Sequence, residues 1–459
     1  MTQTFHKSWQ DHDHLAWLGK EAPRYTSYPS AHHFETLAAE TYAGWLRNLK
    51  PGQSIGLYVH IPFCQQMCWF CGCNTQITKR YEPVEAYVDN LISEIAMISQ
   101  ILGFRPTAHA LHFGGGSPGI LSPDTLDRLF TALHAAFDLT DAQEISIELD
   151  PRRLTVDKAR AYAVHGFNRV SLGVQDTQGE VQVAINRLQP LDLVTKAVAM
   201  LRDVDIHNLG IDLIYGLPHQ NAASLERTLH DIAGLDPARI SAFSYAHVPW
   251  AKKHQRLIDA TVLPDLNEKA LQYLQIDTGL QALGYTAIGI DHFARPDDGL
   301  ARAARDGSLR RNFMGYTDLP NDRLIALAAS SISELDEGIA QNIPQATTYE
   351  TAIKSGRLPT TRGWIYRDDD LVRRDVISQL MCFFTVDLAA IARRHGLAPD
   401  YFDEDLAGLR DFIAAGLVQV DSRVVIFDAP LKMLVRLVAA AFDRYAREDG
   451  TGNRYSRVA

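Results

Sequence analysis

The stretch IGLYVHIPFCQQMCWFCGC, Ile55 to Cys73, joins two kinds of sequence. Ile55 to His60 is apolar and β-branched enough for a buried strand, and after Pro62 four cysteines, Cys64, Cys68, Cys71 and Cys73, fall within ten residues. The surrounding segment 51–78 has no Asp, Glu, Lys or Arg, yet His60, Pro62, Gln65, Gln66 and Asn74 make it unfit for lipid. It reads as a strand followed by a cofactor loop. Three thiolates spaced by three and two residues can converge from one loop on three corners of a cubane iron–sulfur cluster. The fourth iron is then left open, which marks a reactive site rather than a structural one.

Other readings use the same cysteines. Tetrahedral zinc prefers two cysteine pairs separated by a longer loop, and four ligands in ten residues are awkward. A redox dithiol of Cys68 and Cys71 would open a helix in a thioredoxin-like unit, which neither residue does. An electron-transfer cluster with Cys73 as fourth ligand stays open on spacing alone.

The rest of the composition narrows the class. The chain has 459 residues, 46% hydrophobic and 22% charged, enough for two or three domains at roughly 150 residues each. Lys plus Arg number 45 against 55 Asp plus Glu, and the net charge of −10 disfavours a grip on phosphate backbones, so no nucleic-acid partner is expected. Only Cys382 lies outside the cysteine group, on a helical pattern that makes it a core residue, so there is no disulfide framework. A tight cysteine group in a chain of this size suits a reducing compartment. Met1 to Gly19 offers no apolar run for a signal peptide, and the expectation is a cytoplasmic protein without a membrane span.

Downstream the sequence alternates. Strand candidates are Ile55–His60, Ala108–Phe113, Glu144–Leu149, Arg169–Val174, Leu209–Ile214, Ile240–Tyr245 and Thr286–Ile290. Between them lie helical patterns at Val84–Ile101, Pro123–Phe137, Leu154–Val164, Leu191–Leu201, Ala223–Ile232 and Asn267–Ala282. Strand then helix, repeated, gives an α/β fold with a parallel sheet whose function sits at the C-terminal strand ends. Residues 1–50 read as an N-terminal extension, 51–300 as the β/α domain, 301–358 as a connecting segment and 359–459 as a helical domain. In that last part helices at Leu371–Phe384, Leu388–His395 and Leu406–Ala415 precede a hairpin over Gly416–Phe427 and a helix over Met433–Tyr445, a winged-helix-like order with a covering role.

Two further features fall at strand ends. Gly114-Gly-Gly-Ser-Pro-Gly119 matches G-x-G-x-x-G formally but follows the second strand and opens no helix before Pro123, so a dinucleotide site is disfavoured. Glycines there let backbone approach a ligand closely. Glu148 and Asp150 end the third strand, Gln175 and Asp176 the fourth, and Asp212 lies in the fifth, so these polar groups share one rim.

Cys-x-x-x-Cys-x-x-Cys after the first strand of a β/α repeat resembles the radical S-adenosylmethionine (SAM) superfamily. The resemblance implies a partial (β/α)6 barrel and a [4Fe-4S] cluster on Cys64, Cys68 and Cys71. It also implies SAM bound at the open iron and cleaved to a 5′-deoxyadenosyl radical, with the glycine run along its methionine part. VHIPFC (59–64), SLGVQD (171–176), DLIYGLP (212–218) and Cys71-Gly72-Cys73 are similar to the oxygen-independent coproporphyrinogen III oxidase family. So are Pro23–Pro29, DHFARP (291–296) and the Tyr455-Ser-Arg-Val458 tail. Heme-chaperone relatives share the cluster motif but typically lack Cys73 and the Arg24-Tyr25-Thr26 segment.

Carried over by position, Tyr58, Phe70, Gly115, Gly116, Ser117, Glu148, Gln175, Arg187, Asp212, Ala246 and Ile332 contact one or other of two SAM molecules, and Cys73 is needed for activity without being a ligand. The implied reaction is oxidative decarboxylation of two propionates of coproporphyrinogen III to vinyl groups, giving protoporphyrinogen IX. The implied electron donor is of the flavodoxin or ferredoxin kind, and the protein a monomer. A substrate with four carboxylates wants guanidinium partners, for which Arg24, Arg373, Arg374 and Arg457 are candidates. One region departs from the family pattern. Met314 precedes Gly315-Tyr-Thr317, and no glycine occurs from Tyr316 to Glu337, where lost glycines could reshape a pocket next to Ile332.

Overall fold

A computed structural model describes residues 14–320, 323–448, 457 and 458. Tyr455, Ser456, Asn321, Asp322 and most of the 1–19 segment lie outside the described residues. Six strands run parallel in chain order: β1 (Ile55–Ile61), β2 (Ala108–Gly115), β3 (Glu144–Leu149), β4 (Arg169–Gln175), β5 (Asn208–Tyr215) and β6 (Arg239–Ser244). Helices α1 (Glu82–Leu102), α2 (Pro123–Ala136), α3 (Val156–Val164), α4 (Leu191–Arg202) and α5 (Ala222–Leu235) form the crossovers, and α6 (Leu266–Ala282) follows β6. β1 is buried at every position, as a strand covered on both faces must be.

Helix α1 shows why the crossovers form. Val84, Val88, Leu91, Ile95 and Ile98 recur on one buried stripe, Glu82 and Glu85 sit in the positive first turn, and Gly103 ends the helix at φ 71°. Each fully buried aliphatic side chain contributes about 1.5–3 kcal/mol.

Two expectations need correction. Thr286–Ile290 reads as a strand, but only Thr286–Ile288 is extended, and it folds back through Gly289 onto His292–Ala294, which itself lies antiparallel against β6. Residues 301–358, read as a connection, contain β7 (Leu324–Leu327), which pairs in parallel with β1, and the strands Ile332–Leu335 and Gly338–Asn342 that continue the sheet outward to Thr360–Ile365. These runs are four to six residues long, and pairing rather than periodicity makes them strands. The sheet is therefore an open, partial barrel with antiparallel strands at both ends.

In the C-terminal part, helices Asp370–Phe383 and Leu388–Arg394 pack beside a three-stranded antiparallel sheet of Thr385–Asp387, Val424–Phe427 and Val418–Asp421. This part holds the N-terminal segment in place. Buried Arg436 donates to the carbonyls of Ala22 and Pro23, and Tyr25 donates to Asp443 at 3.0 Å. Cys382 is buried against residues such as Leu300 and Tyr316, as a core side chain. No helix among the described residues is long and apolar enough to cross a membrane.

The turn that lacks glycine keeps a glycine-like backbone. After β7, Ala328 has φ 82° and Ser330 φ 65°, both left-handed. Buried bonds hold them there. Glu94 on α1 accepts from the Ala328 N–H at 2.7 Å, from Tyr349 at 2.7 Å and from Asn342 at 2.7 Å. The Tyr87 hydroxyl accepts from the Ala329 N–H at 3.0 Å and donates to the His60 carbonyl at 3.2 Å, tying this turn to the end of β1.

Replacing both Ala328 and Ser330 by glycine is expected to raise stability by about 1 kcal/mol, because relief of left-handed strain exceeds the added freedom of the unfolded chain. Chemical denaturation of the double variant checks this. Burial pushes Glu94 up to about 7, against the bonds from Tyr349, Ala328 and Asn342. The native carboxyl then keeps its proton after the unfolded one has lost it, so stability falls as pH rises from about 4.5 to 7. Glu94→Gln cannot titrate and is expected to show a shallower fall when midpoints at pH 5 and pH 7 are compared.

Candidate active site

The cysteine loop is closed at its base by a parallel pair, Phe63–Cys64 with Gln76–Ile77. The glycine run fits against that base. Gly116 and Ser117 donate their N–H groups to the carbonyls of Ile61 and Phe63 at 2.8 and 2.9 Å. A Cβ on Gly116 would lie 2.8 Å from the Phe63 carbonyl oxygen and 2.9 Å from its nitrogen, and Gly115 has φ 118° with the His60 ring 2.7 Å from where its Cβ would be. Both positions require glycine.

Side chains from elsewhere in the barrel staple the loop. Asn186 donates to the Met67 carbonyl at 2.8 Å, Gln255 to that of Phe70 at 3.0 Å and Lys252 to that of Cys73 at 3.1 Å, while His254 meets the Cys71 carbonyl at 2.7 Å. The loop faces a cavity of about 860 Å³, within the range of roughly 300–1,000 Å³ typical of small-molecule sites. Cys64, Cys68, Cys71 and Cys73 line it, and so do Phe70, Gly115, Gly116 and Ser117. Glu148, Gln175, Arg187, Asp212 and Ala246 complete the set that the structure brings together.

Tyr58 and Ile332 are not in that lining. Tyr58 lies beneath it, stacked on His112 at 5.9 Å with its hydroxyl 3.0 Å from His60 Nδ1, and Ile332 is buried in the core at the start of its strand. Asp176, at the same rim in sequence, is wholly buried and satisfied by Gln220 and the Gln178 N–H, both at 2.7 Å. Arg373 and Arg374 are also removed from the candidates for substrate. Arg373 is paired with Asp369 at 2.5 Å and Asp405 at 3.0 Å, and Arg374 with Glu334 at 3.0 Å, as guanidinium groups held among carboxylates in the fold must be.

The electrostatics are uneven. Arg187 and Arg152 reach the Cys68 sulfur at 3.3 and 3.8 Å. Burial pushes the Cys64 thiol up to about 12, whereas a hydrogen bond from Cys73 brings Cys71 down to about 6. Burial opposes ionisation of Glu148, but the bond from His112 at 3.3 Å and the charge of that ring outweigh it and hold the carboxyl below its usual range. Asp212 is pushed up to about 6 by burial and then by Glu148, and accepts from Ser171 at 2.9 Å. Sequence reasoning missed Arg152 and the trio Lys252, His254 and Gln255. Arg152 follows a strand end and was within reach of that rule, but the trio sits in a long loop without periodicity and gave no signal.

Residues 58–232 match the Radical SAM superfamily. The chain is 44% identical over 424 residues to the oxygen-independent coproporphyrinogen III oxidase of Bradyrhizobium diazoefficiens, covering 92% of this chain and 94% of that one. The chain belongs to the oxygen-independent coproporphyrinogen III oxidase family. The Pseudomonas aeruginosa member is 39% identical over 454 residues, 98% of each chain. The structure of coproporphyrinogen III oxidase (HemN) from Escherichia coli, described as a radical SAM enzyme, superposes with a TM-score of 0.87 at 38% identity, covering 92% of this chain and 97% of that one.

Family membership brings a [4Fe-4S] cluster and SAM as cofactors, and the cavity fits them. Among the described residues no three His, Cys, Asp or Glu side chains converge on one point as a single metal ion would require, whereas a cubane takes its thiolates at separate corners. Buried Ser117 Oγ and Arg187 Nε have no partner there and are free to bond a ligand. Glu148 and Asp212 repel each other across a wall that a cation such as a sulfonium or ammonium would relieve.

Gly116→Ala is expected to push the glycine run off Phe63 and displace Cys64, so that iron bound per chain after anaerobic reconstitution falls by more than half. Cys382→Ala, far from the loop, keeps the wild-type iron content.

Proposed function

We propose that the protein converts coproporphyrinogen III to protoporphyrinogen IX by oxygen-independent oxidative decarboxylation of two propionates. The observation that carries this reading is one cavity in which the cysteine loop and the acidic wall of Glu148 and Asp212 face Arg24 of the N-terminal segment. The acidic wall suits a cation and the arginine a carboxylate.

In this reading Cys64, Cys68 and Cys71 hold the cluster, and Phe70, Gly115, Gly116, Ser117, Glu148, Gln175, Arg187, Asp212 and Ala246 contact SAM. Tyr58 and Ile332 support that site from behind its wall. Bound together, the cluster and SAM supply the one-electron chemistry that removes a hydrogen from the β-carbon of a propionate. Carbon dioxide then leaves and an acceptor takes the remaining electron. Glu148 and Asp212 orient the cationic part of the cofactor, and the backbone of Gly115 and Gly116 allows it to approach. Segment 22–32, laid over the cavity, keeps water from the reacting carbon. Cys73 shares a hydrogen bond with Cys71 at the cavity wall and acts in turnover without being a ligand. Electrons come from a donor of the flavodoxin or ferredoxin kind, and the protein works as a monomer in the cytoplasm. A paralogue with an altered substrate is the second reading, favoured by Phe313 and Met314, which line a side cavity.

Anaerobic reconstitution with reductant, SAM and coproporphyrinogen III is expected to give the divinyl product, followed by chromatography. 5′-Deoxyadenosine without decarboxylation would overturn the substrate in favour of the paralogue. Asp212→Asn is expected to raise the KM for SAM roughly tenfold, the scale of one lost charged hydrogen bond.

A further inference from the structure

The side cavity, of about 200 Å³, opens from the main one, and the two share Arg24, Thr26 and the segment Phe243–Ala246. Arg24, Arg311, Arg436 and Arg457 line it. The carboxylate in its lining is Asp291, which is engaged with His292 Nδ1 at 2.7 Å and also feels Arg311 and Arg24, one carboxylate facing several guanidinium groups.

The partners of these arginines are unusual for this chain. Arg311 donates to the carbonyls of Tyr25 and Arg24, both at 3.3 Å, and its guanidinium lies 4.7 Å from the centre of the Tyr316 ring. Arg436 donates to the carbonyls of Pro23 at 3.0 Å, Val458 at 3.3 Å and Ala22. Carbonyls satisfy N–H groups but do not neutralise a cation. Arg24 is exposed, and no side-chain partner of it is found among the described residues. Elsewhere the chain pairs its shielded guanidinium groups with carboxylates, Arg373 with Asp405 and Arg239 with Asp298 at 2.8 Å. The excess of positive over negative groups in the lining is felt locally. Burial and then Arg24 pull Arg436 down to about 9, and burial and then Arg457 pull Lys269 down to about 8. A carboxylate entering the cavity would offset the charge of Arg24 that acts on Arg436.

We propose that this side cavity is the anion subsite of the substrate, with Arg24, Arg311 and Arg436 binding the carboxylates of propionates that are not at the reacting position. The inference rests on the function proposed above and deepens it. On the wall of the main cavity Asp150 is paired with Arg152 at 2.6 Å and Arg187 at 3.6 Å, which leaves Glu148 and Asp212 to repel propionates while the arginines of the side cavity attract them. A macrocycle carrying four carboxylates is thereby turned one way round. The SAM carboxylate is the other source of the same chemistry, and the test separates the two.

The holoenzyme is compared with Arg24→Gln, Arg311→Gln and Arg311→Lys, with iron content as the control for folding. In the two Gln variants the KM for coproporphyrinogen III is expected to rise roughly tenfold to a hundredfold, the range for lost bonds to a charged group. kcat and the KM for SAM stay close to wild type, and Arg311→Lys recovers part of the affinity. Fluorescence anisotropy of coproporphyrin III bound to the holoenzyme follows the same order without turnover. Wild-type activity with unchanged KM and anisotropy in the Gln variants overturns the subsite and leaves the function standing. A rise in the KM for SAM instead assigns the arginines to the cofactor and also overturns it. A wild-type holoenzyme that forms no vinyl product removes the functional reading and the substrate of this subsite with it.

Discussion

The backbone of Phe63 touches that of Gly116, and the mouth of the barrel depends on this contact. It brings the stem of the cysteine loop, which leaves β1, against the glycine run, which leaves β2. Neighbouring parallel strands lie about 4.7–4.9 Å apart, but their loops ordinarily diverge above the sheet. Here two N–H bonds and the absence of a side chain keep them together as far as Phe63 and Ser117, beyond the strand ends at Ile61 and Gly115. The cysteines, Ser117 and Glu148 thus share one wall, and the stapling side chains from the loops after β4 and β6 complete it.

A second layer of constraint comes from buried polar groups. The Glu94, Asn342 and Tyr349 network fixes the turn after β7, and Tyr87 passes that position on to the carbonyl of His60. Because the bonds are buried, leaving any one of them unmade is expensive, and this allows alanine and serine to occupy left-handed conformations that glycine would take more easily. Within the glycine-free stretch from Tyr316 to Glu337, Ala328 and Ser330 thus take backbone conformations that ordinarily favour glycine.

Much of this was legible in the sequence where the signal is local. Glu144–Leu149 reads as a strand and is one end to end, and the cysteine spacing marks a loop that the fold does carry. What was not legible depends on partners distant in sequence. Leu324–Leu327 is too short to announce itself and becomes a strand through its pairing with β1. The adjacent Arg373 and Arg374 look as available as Arg24, but Asp369, Asp405 and Glu334 claim them in the fold. Arg311 and Arg436 carry no motif at all. Their shared place at the side cavity arises because the segment from Ala22 to Tyr25 is threaded between the hairpin strands near Arg311 and the helix that bears Arg436.

That threading ties residues near the start of the chain to residues near its end. The side chains that staple the cysteine loop have all been made once Gln255 is translated. The segment around Arg24, although translated first, gains its fixed position only when Arg436 and Val458 follow, nearly the whole chain later. The staples of the cysteine loop thus precede, in order of synthesis, the residues that fix the segment lining the side cavity.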